Sequence, residues 1–293
     1  MTATDIKQPD LPAPPIKRSP AMEVVAALGR SGSFITGLVI VVFWVLCALF
    51  GEYFTPHDPL ADDIINALMP PSADNWFGTD QLGRDVFSRV IVGSRDILTV
   101  APLATLLATI AGTTLGLFTG YFRGLVDDVI SRILEAFMAI PVVIVALLAI
   151  VALGTSKTTV IIVIGLSFAP IIARTVRSAV LSERELDYVA AAQLRRESAL
   201  HTMFVEILPN VIPPILVETT VRLGYAIFAV ATLSFMGFGI QPPSPDWGLS
   251  ISSNYGMIGG GFWWTVLFDA FAIASLVIGV NLVADGVQGA LND

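Results

Sequence analysis

Six long apolar stretches run through this chain, and they constrain its fold more than any other feature: Phe34 to Gly51, Ile97 to Tyr121, Ile133 to Leu153, Thr158 to Ala179, Val211 to Gly237 and Phe262 to Asp285. A helix needs about 20 apolar residues to cross the hydrocarbon of a bilayer, and each stretch approaches that length. Inside lipid a segment must satisfy its own backbone hydrogen bonds, which leaves helices for stretches of this kind. The mean hydropathy of +0.78 and the 14% of charged residues agree with a bilayer as solvent. The expected fold class is therefore all-α, a polytopic membrane protein with six transmembrane helices.

Charge sets the orientation. The formal net charge of -8 says little, because the acids gather between Glu52 and Asp96. Lys and Arg decide, since they are retained in cytoplasmic loops. With the N-terminus inside, the cytoplasmic side holds Lys7, Lys17, Arg18, Arg30, Arg123, Arg132, Arg174, Arg177, Arg184, Arg195 and Arg196. The outside keeps Arg84, Arg89, Arg95 and Lys157, and Arg222 lies within the fifth span. Both termini are thus expected in the cytoplasm. The first residues lack an apolar signal region, and five prolines between Pro9 and Pro20 suit an extended, disordered tail.

Three units follow from the pattern. Residues 1–33 form a cytoplasmic tail with a short amphipathic helix from Ala21 to Arg30. Residues 34–96 hold the first span and a long extracytoplasmic loop. Residues 97–293 form a five-helix core. In the loop, Asp80 is placed to cap an interfacial helix in which Val86, Phe87, Val90 and Ile91 share a face, while Arg84, Arg89 and Arg95 point elsewhere. A turn around Gly154 to Lys157 is the second external loop, and the third, Gly239 to Gly261, carries Gln241, Pro242, Pro243, Asp246 and Trp247 before a glycine triplet, with Trp263 and Trp264 as interfacial anchors.

Between the fourth and fifth spans lies a polar island of two short helices, at about 180–210, with a break at Arg195, Arg196, Glu197 and Ser198. It reads as a cytoplasmic handle for a soluble partner. Buried charges form a second group. Glu218 and Arg222 are four apart and share a helix face, either lining a solute path or bracing the spans as an internal pair. Asp269, about two turns into the sixth span, is a further pore candidate, and Glu135 is placed to pair with Arg132. The pairs Asp62–Asp63 and Asp127–Asp128 read as solvated faces. Nothing points to catalysis or metal binding: Cys47 is the only cysteine, His57 and His201 fall on opposite sides, and Gly154 to Thr158 lacks the second glycine of a phosphate loop.

Several short motifs, in order, carry a resemblance: Trp76-Phe77-Gly78-Thr79-Asp80, Leu82-Gly83-Arg84-Asp85-Val86-Phe87-Ser88-Arg89, Gly120-Tyr121-Phe122-Arg123-Gly124, Asp187-Tyr188-Val189, Ile207-Leu208-Pro209-Asn210, and Leu233 to Gly239 with Gln241-Pro242-Pro243. From about Leu68 to Leu291 the chain resembles the smaller, C-type permease subunit of dipeptide and oligopeptide ATP-binding-cassette (ABC) importers. The resemblance implies a type I importer transmembrane domain in a bacterial plasma membrane, non-catalytic in itself. It implies as partners a homologous second permease, two ATPase subunits, a solute-binding protein outside, and membrane lipid, with no nucleic acid. ATP and magnesium would be bound by the ATPases, leaving this chain without a cofactor.

The same resemblance makes the polar island the coupling loop. Glu183, Arg184, Glu185, Asp187, Tyr188, Val189, Ala190, Ala191, Ala192 and Arg196 are its expected ATPase-coupling residues, and Arg84, Arg89, Gln241, Asp246 and Trp247 are expected to dock the binding protein. The chain departs from the family at Ala190, usually glutamate, and at Arg196, usually glycine, where a stiffer or less comfortable backbone is expected. Val230, Glu218, Arg222 and Asp269 also depart. The solute is expected to be a peptide, with nickel chelates or another small solute served by the same architecture. An ion-driven secondary transporter, using Glu218 or Asp269 to carry protons, is the reading from a different class.

Overall fold

A computed structural model describes residues 20–292; the expected disordered tail lies outside them, apart from its end. A short helix α1 (Pro20–Leu28) precedes α2 (Gly32–Phe54), whose first turn is capped by the Ser31 hydroxyl on the Phe34 amide. Next come α3 (Val86–Phe122), α4 (Leu125–Met138), α5 (Val142–Leu153) and α6 (Lys157–Glu183). Two short helices follow, α7 (Asp187–Leu194) and α8 (Ala199–His201), the second running through a π-helical stretch, Thr202–Ile207, into α9 (Leu208–Phe235). The chain ends with α10 (Trp247–Asn254) and α11 (Trp264–Asn292).

Five of the six expected spans are long apolar helices: α2, α3, α6, α9 with its preceding turns, and α11. The sixth, Ile133 to Leu153, is not continuous. It is divided into α4 and α5, which meet at 90°. The physical cause is Pro141, whose ring and missing N–H stop a helix from running through Ala139 and Ile140. The expected interfacial helix after Asp80 is corrected as well. It does not exist as a separate element, because Val86 to Ile91 are the first turns of the 37-residue α3. Asp85 caps it, accepting from the Ser88 amide (2.8 Å) and hydroxyl (2.6 Å).

The core is a seam between α3 and α6, which run parallel. Gly112, Gly116 and Gly120 of α3 face Ala169 and Ile172, then Ala173 and Val176, then Arg177 and Val180 of α6. Lipid tails are as apolar as leucine, so close packing of small residues has to supply the association that water would drive in a soluble bundle. The seam is tied at both ends by ions: Lys157 at the start of α6 pairs with Asp96 near the start of α3, and Arg123 after α3 pairs with Glu185 after α6 at 2.6 Å. On the other side of the bundle α2 and α11 cross antiparallel, with the Trp44 indole donating to the Ser275 hydroxyl (2.9 Å).

A methyl group on Gly116 would lie 2.6 Å from the Val176 Cβ, whereas one on Gly256 would meet nothing within 4 Å. Overpacking of this kind costs about 1–3 kcal/mol. Gly116→Ala is expected to lower the thermal melting point of the purified protein by several degrees, and Gly256→Ala to leave it nearly unchanged; a scanning-fluorimetry comparison in one detergent checks both.

Candidate functional site

The two ends of the seam carry different polar structures. At the end where α3 begins, the long loop and α10 fold into a lobe held by buried polar groups. Asp80 organises the turn before α3: its Oδ1 accepts from the amides of Leu82 (2.8 Å) and Arg84 (3.0 Å), and its Oδ2 from the Arg84 guanidinium (2.8 Å). Arg89 is almost wholly buried, at 2% exposure. It donates to the carbonyl oxygens of Pro59 (3.0 Å) and Ser244 (3.5 Å), and its Nε lies 3.7 Å from Asp80. One guanidinium thus joins the loop before α3, the loop before α10 and α3 itself. The Trp247 indole N–H donates to the Val90 carbonyl (2.8 Å), and its ring packs edge-on against Trp44. Trp264, buried rather than anchored in an interface, donates to the Thr79 carbonyl (3.2 Å).

This arrangement revises the expected docking set. Arg89, Asp246 and Trp247 are interior groups of the lobe, and a partner does not reach them. They shape the outer face, on which Arg84 and Gln241 keep partial exposure. Asp246 caps α10 through the Leu249 amide (2.9 Å). Asp269 is also interior, 1% exposed, beside Ser250 and in the field of Arg89.

At the opposite end, α7 packs one face inward. Val189 and Ala192 are fully buried, with Met203 and Ile207 of the following π-helical stretch buried beside them. Neither Val189 nor Ala192 can touch a partner. Asp187 and Ala190 face outward, joined by Leu186, Leu194 (84% exposed) and Leu200, which the sequence reading did not single out. Ala191 is half-buried between the two faces. The Tyr188 hydroxyl donates to Glu183 (2.7 Å), and burial, reinforced by that bond, pushes its pKa up to about 12. The Arg184 guanidinium lies 5.8 Å from the Tyr121 ring centroid, a second link from the elbow to α3.

The break after α7 has a definite geometry. The Arg196 amide bonds the Gln193 carbonyl (2.9 Å) and the Glu197 amide bonds the Ala192 carbonyl (3.2 Å), the paired bonds of a Schellman motif. The motif places Arg196 at φ +58, the left-handed position that glycine favours. The strain expected of this residue is therefore present, about 1–2 kcal/mol. Arg195 then clasps Glu197 (2.7 Å) and Glu206 (3.1 Å), while His201 lies 3.4 Å from Glu197. These carboxylates surround a guanidinium already in place, and His57 stands apart in the other lobe, bonded to the Asp74 carbonyl.

Within α9, Glu218 and Arg222 pair at 2.6 Å, both part-buried. Glu218 also accepts from Thr175 of α6 (3.4 Å), and Arg222 covers the Tyr225 ring at 4.9 Å. The expected solvated pair Asp127–Asp128 is split: Asp127 is 7% exposed and takes a bidentate contact from Arg177, both bonds 2.6 Å. Glu135 does not pair with Arg132; α4 turns both toward a cavity against α3 and α6.

The comparisons agree with this geometry. Residues 112–293 match the model of the family described as "Binding-protein-dependent transport system inner membrane component", and residues 19–71 match "N-terminal TM domain of oligopeptide transport permease C". The chain belongs to that family and is an integral inner-membrane permease subunit of an ABC importer. Among its relatives are proteins named "Dipeptide transport system permease protein DppC": that of Alkalihalophilus pseudofirmus is 38% identical over 94% of this chain and 90% of its own length, and that of Bacillus subtilis 33% identical over 99% and 88%. The "Probable D,D-dipeptide transport system permease protein DdpC" of Escherichia coli is 35% identical over 92% and 90%. The chain is thus DppC/OppC-like. Its fold is shared with a chain of the solved MetNI methionine ABC transporter, at a TM-score of 0.57 and 18% identity, over 69% of this chain and 96% of that one.

Two predictions follow from the site. Burial raises the Asp246 carboxyl from 3.8 to about 6, against the opposing hydrogen bond from the Leu249 amide. With the folded pKa above the ordinary one, this group's contribution to stability is complete below about pH 4 and lost as pH rises through about 6. Asp246→Asn keeps a capping side chain, and its melting point relative to the parent should rise between about pH 5 and about pH 7.5; melts at both values check this. Arg196→Gly, by relieving the left-handed strain, should slow hydrogen exchange of the α7 amides, read by mass spectrometry on the same peptide in both proteins.

Proposed function

We propose that this chain forms half of the translocation pathway of an ATP-driven importer of short peptides. A homologous second permease supplies the other half. Two ATPase subunits bind on the side of α7, where the exposed stripe of Leu186, Asp187, Ala190 and Leu194 meets a groove, and a solute-binding protein delivers peptide to the outer lobe. The termini and α7 lie in the cytoplasm, as the Lys and Arg distribution favours. The chain itself is non-catalytic and binds no cofactor, ATP and magnesium belonging to the ATPases.

The observation that carries this reading is the mechanical continuity of the elbow with the bundle. α6 leads directly into α7, and Arg123–Glu185 and Arg184–Tyr121 fasten the same corner to α3. Closure of two ATPases would push on α7, and the glycine seam would carry that displacement along both helices to the lobe. Access to the pathway then alternates as the nucleotide state shifts the balance of two conformations. The peptide class is supported by the dipeptide transport named in relatives that match over nine-tenths of the chain or more. Glu218 and Arg222 are the proposed polar pair on the pathway side of α9. The bond Glu218 accepts from Thr175 and the contact of Arg222 with Tyr225 give the pair a bracing role at the same time.

Leu186→Glu and Leu194→Glu place charge on the exposed stripe while leaving the buried face of α7 intact. Each is expected to strip the ATPases from a complex purified in mild detergent while the second permease stays bound, and to abolish uptake. Retention of the ATPases with normal uptake would remove the coupling assignment. Arg222→Ala leaves Glu218 without its charge partner and is expected to reduce both assembled complex and uptake per complex; loss of assembly with unchanged transport by the surviving complexes would limit the pair to bracing.

A further inference from the structure

A cavity of about 330 Å³ opens between α3, α4 and α6 at the end of the seam next to the elbow. Six ionic side chains line it. Asp127 and Arg177 satisfy each other through two 2.6 Å bonds, and Ser131 donates to Asp127 at 2.9 Å. Four more ionic side chains line the same space: Asp128, Arg132, Glu135 and Arg174. Among the described residues none of the four forms an ion pair. All four are exposed in the isolated chain, so their charged ends are open to a ligand that enters the cavity.

The complement is balanced, two cations and two anions. A simple anion would answer only the arginines and a cation only the carboxylates, whereas a molecule with both charges answers all four. The volume lies at the lower end of the range for small-molecule sites and holds roughly ten waters at about 30 Å³ each. That size suits a short peptide. We infer that this cavity binds the zwitterionic form of a short peptide on the elbow side of the pathway, its carboxylate at Arg132 and Arg174 and its ammonium at Asp128 and Glu135.

The inference rests on the import reading and deepens it. A peptide held here touches α4 and the last turns of α6, the helix that leads into α7. It occupies the position of a product leaving the pathway. Accumulated peptide would therefore act on the same helix that the ATPases drive.

The test uses the assembled complex in detergent, with Cys47→Ser removing the native thiol. Ser131→Cys reports from the cavity wall, and Met138→Cys serves as a second reporter should the first variant fail to assemble. Millimolar alanyl-alanine is expected to slow maleimide labelling of the reporter several-fold. The doubly blocked N-acetyl-alanyl-alanine amide should not slow it, and Arg174→Ala should abolish the protection. Absence of protection, or equal protection by the blocked peptide, inorganic phosphate or glycerophosphoethanolamine, would overturn the site. Peptide uptake into proteoliposomes is scored on the same preparations, so a complex that imports peptide without protection refutes the cavity site and leaves the import reading standing.

Discussion

The close approach of α3 and α6 is the contact on which the rest of the molecule depends. Two parallel helices cannot be joined by a tight turn, so the intervening chain must cross back, and α4 and α5 do so as a broken pair. What holds the parallel helices together is backbone proximity at Gly112, Gly116 and Gly120, where even one added methyl would strike Val176 or its neighbours. Ion pairs at both ends, Lys157 with Asp96 and Arg123 with Glu185, fix the register of the two helices along their length. A seam so closely packed transmits strain along its length, since close-packed interiors have low compressibility.

That body connects two specialised ends. At one, Arg89 gathers two external loops through backbone carbonyls, and Trp247 and Trp264 close the lobe with indole hydrogen bonds into α3 and the first loop. Charge is used there as internal structure, with the accessible face left to other residues. At the other end the polar side chains form clasps, Arg195 with two glutamates and Tyr188 with Glu183, around a short helix whose outer stripe exposes Leu186, Asp187, Ala190 and Leu194. The elbow is rigid inward and open outward, which is what a force-transmitting contact requires. The strained backbone of Arg196 is the exception, and it sits where the two short helices turn.

How much of this was legible in the sequence depends on the signal each feature uses. Hydropathy located the spans because lipid imposes a minimum apolar length, and at Ile133 to Leu153 it marked an apolar stretch without its break, because composition does not register a 90° bend; Pro141, in the middle of the stretch, was the local signal. The helix start was misplaced by one turn of loop. Asp80 and Asp85 are both good caps by type, and only the turn that Asp80 builds with Arg84 reserves the second for α3. The burial of Arg89, Asp246, Trp247 and Asp269 was not legible, because it depends on which loop covers which helix. The inward face of α7 is set by Met203 and Ile207, which follow it in the chain but meet it only after the break. The left-handed Arg196 could be suspected from the glycine that relatives of this kind carry there, and from nothing in its own side chain.

The claim that the elbow lies in the cytoplasm and receives force there is tested most directly by sidedness of labelling. With Cys47→Ser as background, Leu194→Cys carries a thiol at an outward-facing position of α7, 84% exposed. A membrane-impermeant maleimide should label it in inside-out vesicles and not in right-side-out vesicles, and bound ATPases should protect it. Labelling from the right-side-out face would contradict the orientation and, with it, the coupling role of the seam.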